Sequence, residues 1–232
     1  MIQVFPAETR NSSDLGWLQS HKSFSFGDYF DENNVSFGVM RVCNDDDIAP
    51  GRGFGPHPHS DMEIVSIVLQ GAIKHEDSLG HVAITGTDGV QRMSAGTGVI
   101  HAEYNASETE PLSLFQLWFM PEKRGITPSF ENVKYEPEAM RNALLPVVTP
   151  EGGEHIAKVH QDMRIYLSKL DAGKELVFEQ GENRRIFLML VSGVCTVNGT
   201  ELRAKDSARM QNESVLTIRA TEDTHLMLID LP

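Results

Sequence analysis

Two pairs of side chains, each pair spaced two residues apart beside a glycine-rich turn, constrain this chain more than any other feature. His57-Pro58-His59 follows a stretch holding Gly51, Gly53 and Gly55, and His101-Ala102-Glu103 follows Gly96 and Gly98. In a β-strand, residues i and i+2 point to one face, so each pair projects as a two-pronged claw. Three imidazoles and one carboxylate delivered by two strands form a mixed nitrogen and oxygen set that suits a divalent transition metal with open coordination positions. Alone, a His-x-His in a chain with nine histidines is weak and reads more readily as two residues at the end of an exposed strand. The second pair carries the metal reading, because a barrel is the fold that brings two remote strands together.

The sequence around the claws has the rhythm of an antiparallel barrel. β-Branched and apolar runs at 63–70, 72–75, 81–85, 90–94, 98–103 and 112–120 are separated by Gly71, Gly80, Gly86, Gly89 and Gly96. Residues 37–43 alternate as a strand, and Asn44-Asp45-Asp46-Asp47 reads as the solvated turn that ends it. Phe24 and Phe26, alternating with serines, suggest a strand edge packed on the barrel. Residues 121–150 lose the rhythm: five prolines and one short helical candidate over 137–145 read as an interdomain linker.

Strand signals return at 163–170, 176–179, 186–191, 194–197, 207–210, 215–219 and 225–229, and with them an internal repeat. Residues 63–71 match 185–193, and 114–121 match 225–232, in pattern. Two copies of one barrel follow, with domains expected at 1–135 and 136–232. The copies differ where chemistry would sit. The offset from Gly71 to Gly193 carries His57 and His59 onto Glu179 and Gly181, and residues 210–221 hold no histidine. The remaining histidines, His21, His75, His81, His155, His160 and His225, lack paired spacing and read as structural or surface residues.

A formal charge of -13, from 20 Lys and Arg against 33 Asp and Glu, repels phosphate backbones and anionic membranes, so neither nucleic acid nor a membrane is an expected partner. Cys43 and Cys195 read as buried thiols, not a disulfide framework. No run approaches the roughly 18 apolar residues of a membrane span, and a cytoplasmic protein, monomeric, is the expectation.

Gly-x5-His-x-His-x3-Glu over Gly51–Glu63 and Gly-x2-His-x3-Asn over Gly98–Asn105 are close to the two cupin motifs, and with the stretches at 74–80 and 91–98 the chain resembles the pirin family. The resemblance runs the full length, more firmly before Pro121. It implies an all-β bicupin: two antiparallel double-stranded β-helix (jelly-roll) barrels in tandem, with metal only in the first. It also implies the ligands His57, His59, His101 and Glu103, where the common cupin would nominate Glu63 as the carboxylate. Similarity to bacterial pirins implies a quercetin 2,3-dioxygenase using one divalent metal ion per chain (iron, manganese, cobalt, nickel, copper or zinc), with a flavonol and O₂ as partners and Glu103 as base. Eukaryotic pirins imply an alternative, a metal-containing, redox-responsive protein that binds a partner without physiological catalysis. Phe54 with Val99 or Ile100 is the expected lining of an apolar mouth.

Overall fold

A computed structural model describes residues 2–232, almost entirely as antiparallel strands. Two compact units emerge. The first barrel comprises residues 11–135 and 150–161; the second comprises residues up to 10, 136–149 and 162–232. A cut at 135/136 separates most of the two units. Two segments depart from it: the strand Ile2–Phe5 pairs with Ser207–Gln211 in the second barrel, and 150–161 lies with the first.

In the first barrel, a larger sheet runs in the order Ser129–Lys134, Gly89–Ser94, Glu63–Gln70, Leu112–Phe119, Met40–Ile48, Leu18–Lys22, Asn11–Asp14. A smaller sheet runs Gly53–His59, Val99–Asn105, Ala72–Asp77, Val82–Gly86. Ile48, Val68, Ile73, Leu112 and Leu114 fill one end of the interior, and Ile64, Met93, Ala95 and Val99 a separate cluster. Burying side chains of this size removes about 1.5–3 kcal/mol of exposure cost each, which is what holds the two sheets together.

The second barrel repeats the plan. Ile2–Phe5, Ser207–Gln211, Arg185–Ser192, Thr224–Leu231, Arg164–Leu170 and Leu145–Thr149 lie side by side in that order, with Glu175–Glu179, Val215–Ala220, Val194–Val197 and Thr200–Arg203 as the smaller sheet. The repeat read from the sequence is visible at its corners, with one slip: the registers set Gln116 against Leu228, one residue beyond the match of 114–121 to 225–232. Gly71 and Gly193 both turn with positive φ (76° and 84°), and a Cβ at either would collide with the backbone carbonyl of Pro111 or Asp223. Only glycine fits both demands.

Three local expectations give way. Asn44–Asp47 is no turn; it continues the strand Met40–Ile48, paired on both sides, with Asn44, Asp45 and Asp46 buried. Pairing on both edges overrides the turn preference of Asn and Asp. The proline-rich 121–150 stretch supplies the strands Ser129–Lys134 and Leu145–Thr149 and a single 3₁₀ turn, Pro137–Met140, so it is built into the barrels more than it links them. Phe24 is fully buried but outside a strand, and Phe26 faces a cavity described below.

Candidate metal centre

The claws lie on adjacent strands. His101 on Val99–Asn105 stands opposite His57 on Gly53–His59, and a register shift follows at once, so that Glu103 stands opposite Phe54. A bulge of this kind re-aims side chains next to it. The nitrogens of His57, His59 and His101 all lie within 4.8 Å of one another. His57 Nε2 and His101 Nε2 face each other at 3.1 Å, two atoms that repel unless a proton or a cation lies between them. His59 Nε2 is buried with no hydrogen-bond partner, and the ring packs edge-on against Trp118 at 4.8 Å. These are donors without recipients, and they fit a transition metal.

The surroundings set the rings for that role. The Gly55 carbonyl accepts from His57 Nδ1 at 2.8 Å, which leaves the lone pair on Nε2. Burial, reinforced by the neighbouring His57, holds His59 down at about 4, and burial with His57, His59 and His75 nearby holds His101 at about 3. Both rings are therefore neutral and ligand-ready at physiological pH.

His75, read from sequence as structural, stands behind the ligand set. Fully buried, it stacks on Phe130 with ring centroids 4.0 Å apart. Its Nε2 meets Asp77 Oδ2 at 3.2 Å and its Nδ1 meets His101 Nδ1 at 3.5 Å. With the Nε2 proton given to Asp77, Nδ1 of His75 accepts from His101, whose own Nε2 is then free for metal. Asp77 also accepts from the His81 ring at 2.8 Å. The signal was present in the sequence: His75-x-Asp77 is a third pair at strand spacing.

Glu103 is 2% exposed and reaches across the interior to the larger sheet. Gln91 and Ser66 donate to its Oε1, and Gln116 donates to Oε2 at 2.7 Å. It groups with His101 and His75 within 4.8 Å, not with His57 and His59. Oε2, with a single donor, keeps a further lone pair, so a metal or a substrate hydroxyl remains within its capacity. Burial pushes it up to about 7 despite these donors. Sequence reasoning missed Ser66, Gln91 and Gln116, three uncharged residues inside apolar strands.

Glu63 lies elsewhere. Ser94 Oγ donates to its carboxylate at 2.8 Å and the His160 backbone N–H at 3.2 Å, and it belongs to neither ligand-capable cluster found among the described residues. The apolar mouth is also partly revised. Phe54 lines a cavity of about 250 Å³ together with His57, Glu103, Phe26 and Trp118, whereas Val99 and Ile100 line a different groove beside His59.

Residues 5–119 match the pirin family and residues 146–231 the quercetinase C-terminal cupin domain. The chain is 40% identical over 232 residues to a quercetin 2,3-dioxygenase of Escherichia coli K12, spanning 100% of this chain and 99% of that one. A pirin-like protein of Caulobacter vibrioides is 41% identical, with 99% of each chain covered. The crystal structure of the E. coli bacterial pirin YhhW in complex with nickel(II) superposes with a TM-score of 0.95 at 40% identity, covering 100% of this chain and 99% of that one.

Proposed function

The chain belongs to the pirin family, and from that premise we propose that it is a metal-dependent quercetin 2,3-dioxygenase, opening the flavonol heterocycle with O₂ and releasing carbon monoxide. One observation carries the reading: His57 of the ligand cluster and the buried carboxyl of Glu103 open onto the same cavity, whose other walls are Phe26, Phe54 and Trp118. That is a slot for a flat aromatic molecule with a proton acceptor at its end. His57, His59 and His101 hold the ion, with Glu103 as fourth ligand, and iron, manganese, cobalt, nickel, copper and zinc all accept such a set. When bound, the metal supplies Lewis acidity and exchangeable coordination positions.

The protein's own part is proton transfer and placement. Glu103 takes the proton of the flavonol 3-hydroxyl as general base. Gln91, Gln116 and Ser66 fix the carboxylate so that it meets the hydroxyl without reorienting. The aromatic walls exclude water and orient the rings. His75 and Asp77 hold the His101 ring.

Anaerobic reconstitution with each of the six metals, followed by quercetin and O₂, tests this. Carbon monoxide released in proportion to quercetin consumed supports it, and no release with any metal refutes it. The partner-binding alternative has one observation in its favour: Leu79, Val82, Ile84 and Ile100 are exposed on or beside the smaller sheet. It gains only if carbon monoxide is absent.

A further inference from the structure

Two side chains on the strand Met40–Ile48 have no part in the scheme above. Asn44 and Asp46 are two residues apart and so share a face. Each is 3% exposed, and each holds an oxygen, Oδ1, without a hydrogen-bond partner. Buried acceptors left unpaired are rare and costly, and their cost is removed by a ligand that donates to them.

Their position says where such a ligand lies. Both residues line the cavity shared by His57 and Glu103, and both also line a second, larger cavity of about 530 Å³. Phe26 and Phe54 are common to the two as well. Those four side chains therefore form a boundary between an inner chamber at the ligand cluster and an outer chamber edged by Leu15, Tyr29 and Phe30. Two rings frame the passage and two polar atoms mark its side. Ser20 hydrogen-bonds the Asp46 carboxyl, and burial, with Asp45 and Asp47 adding to it, pushes that carboxyl up to about 7. Near neutral pH it is available in protonated form, able to donate as well as accept.

Resting on the flavonol reading, we propose that Asn44 and Asp46 are specificity-determining residues that hydrogen-bond hydroxyl groups on the part of a polyphenol remote from the metal ligands, and that the outer chamber is the subsite for that part. A site built to hydrogen-bond a hydroxyl discriminates strongly against the analogue lacking it, because the site's own polar groups are then stranded. The selected ligand class is a polyhydroxylated aromatic, preferred over the same skeleton carrying only the reacting hydroxyl.

The experiment compares quercetin with 3-hydroxyflavone on metal-reconstituted wild type, Asn44→Leu, Asp46→Leu and Asp46→Asn. Leucine matches the size of either side chain and removes an unpaired buried acceptor, so the fold is expected to tolerate it; Asp46→Asn keeps the measurement alive if it does not. The ratio of kcat/KM for quercetin to that for 3-hydroxyflavone should fall tenfold or more in each leucine variant, and less in Asp46→Asn. An unchanged ratio overturns the proposal, since a structural defect would lower both substrates together. If wild type turns over neither compound, anaerobic calorimetric binding on the same proteins decides. A wild-type preference for quercetin that the leucine variants lose sustains the subsite while the dioxygenase reading fails; equal affinities in wild type overturn the subsite too.

Discussion

The two barrels share a plan and differ in one interior layer, and the registers align that layer residue by residue. In the first barrel Ser66 stands opposite Gln91 on one side and Gln116 on the other; at the same crossing in the second, Leu188 stands between Ala208 and Leu228. Asn44 beside Gln116 becomes Tyr166 beside Leu228, and Asp46 beside Leu114 becomes Ser168 beside Leu226. Glu103 opposite His75 becomes Ile218 opposite Val197. Leu188, Leu228, Val197, Leu216 and Ile218 close the second interior into a continuous apolar core. One copy fills its interior with packing, whereas the other keeps a polar layer around a buried carboxyl.

The comparison breaks most visibly at the ligands. His101→Ala should reduce bound metal to below a tenth of stoichiometric and lower carbon monoxide release about a thousandfold or more, while Glu179→Ala, at the exposed residue onto which the sequence offset carries His57, changes neither; elemental analysis and gas measurement on the two proteins check it. Next comes the carboxylate. Glu103→Gln should lower turnover by about a hundred- to ten-thousand-fold, the usual range of general acid–base catalysis, and Glu63→Gln by no more than a few-fold. A dead Glu63→Gln with a healthy Glu103→Gln would move the base to the other buried acid.

A reciprocal exchange sharpens the comparison further. Leu228→Gln places an amide in the apolar core without partners and should cost about 3 kcal/mol in urea unfolding, with metal content per folded protein intact. Gln116→Leu should cost about 1–3 kcal/mol in stability and lower turnover tenfold or more, because buried Glu103 loses the donor on Oε2. The smallest effect concerns pH. Asp46 is raised by burial from 3.8 to about 7, so its stabilising protonated form is fully present below the unfolded value and is lost as pH rises through about 7. Metal-free Asp46→Asn should therefore be more stable than wild type at pH 8 by on the order of 1–2 kcal/mol, and the gap should close near pH 4. A constant gap across that range would mean the carboxyl is ordinary.

The legible part of the site was the part written at strand spacing. His57, His59 and His101, which the fold brings together, and Glu103, which it groups with His101 and His75, were the candidates a period of two and flanking glycines could mark. Asn44–Asp47 misled because local turn chemistry is visible in sequence and pairing on both edges is not. Ser66, Gln91 and Gln116 were silent for a different reason: one polar residue in an apolar strand has no local signature, and only its alignment with Leu188, Ala208 and Leu228 shows it as a departure. The strand Ile2–Phe5 was missed as a member of the far barrel, since nothing in four residues says which of two similar sheets they join.

That strand has a consequence for how the protein is made. Every residue of the metal-binding barrel lies within positions 11–161, so a ribosome has delivered all of it before Asp162 is added. The second barrel must wait, because Ile2 to Phe5 pair with residues 207 to 210 and Phe5 carries the Arg209 guanidinium over its ring. Closing a loop of about two hundred residues is slow compared with hairpin formation. Until it closes, the first-made strand and the Ser207–Gln211 edge both present unpaired backbone, the usual starting point for intermolecular pairing. During synthesis, then, the vulnerable half of the protein is the one without the chemistry, and a bulky fusion placed ahead of Ile2 would lower yield before it lowered activity per folded molecule.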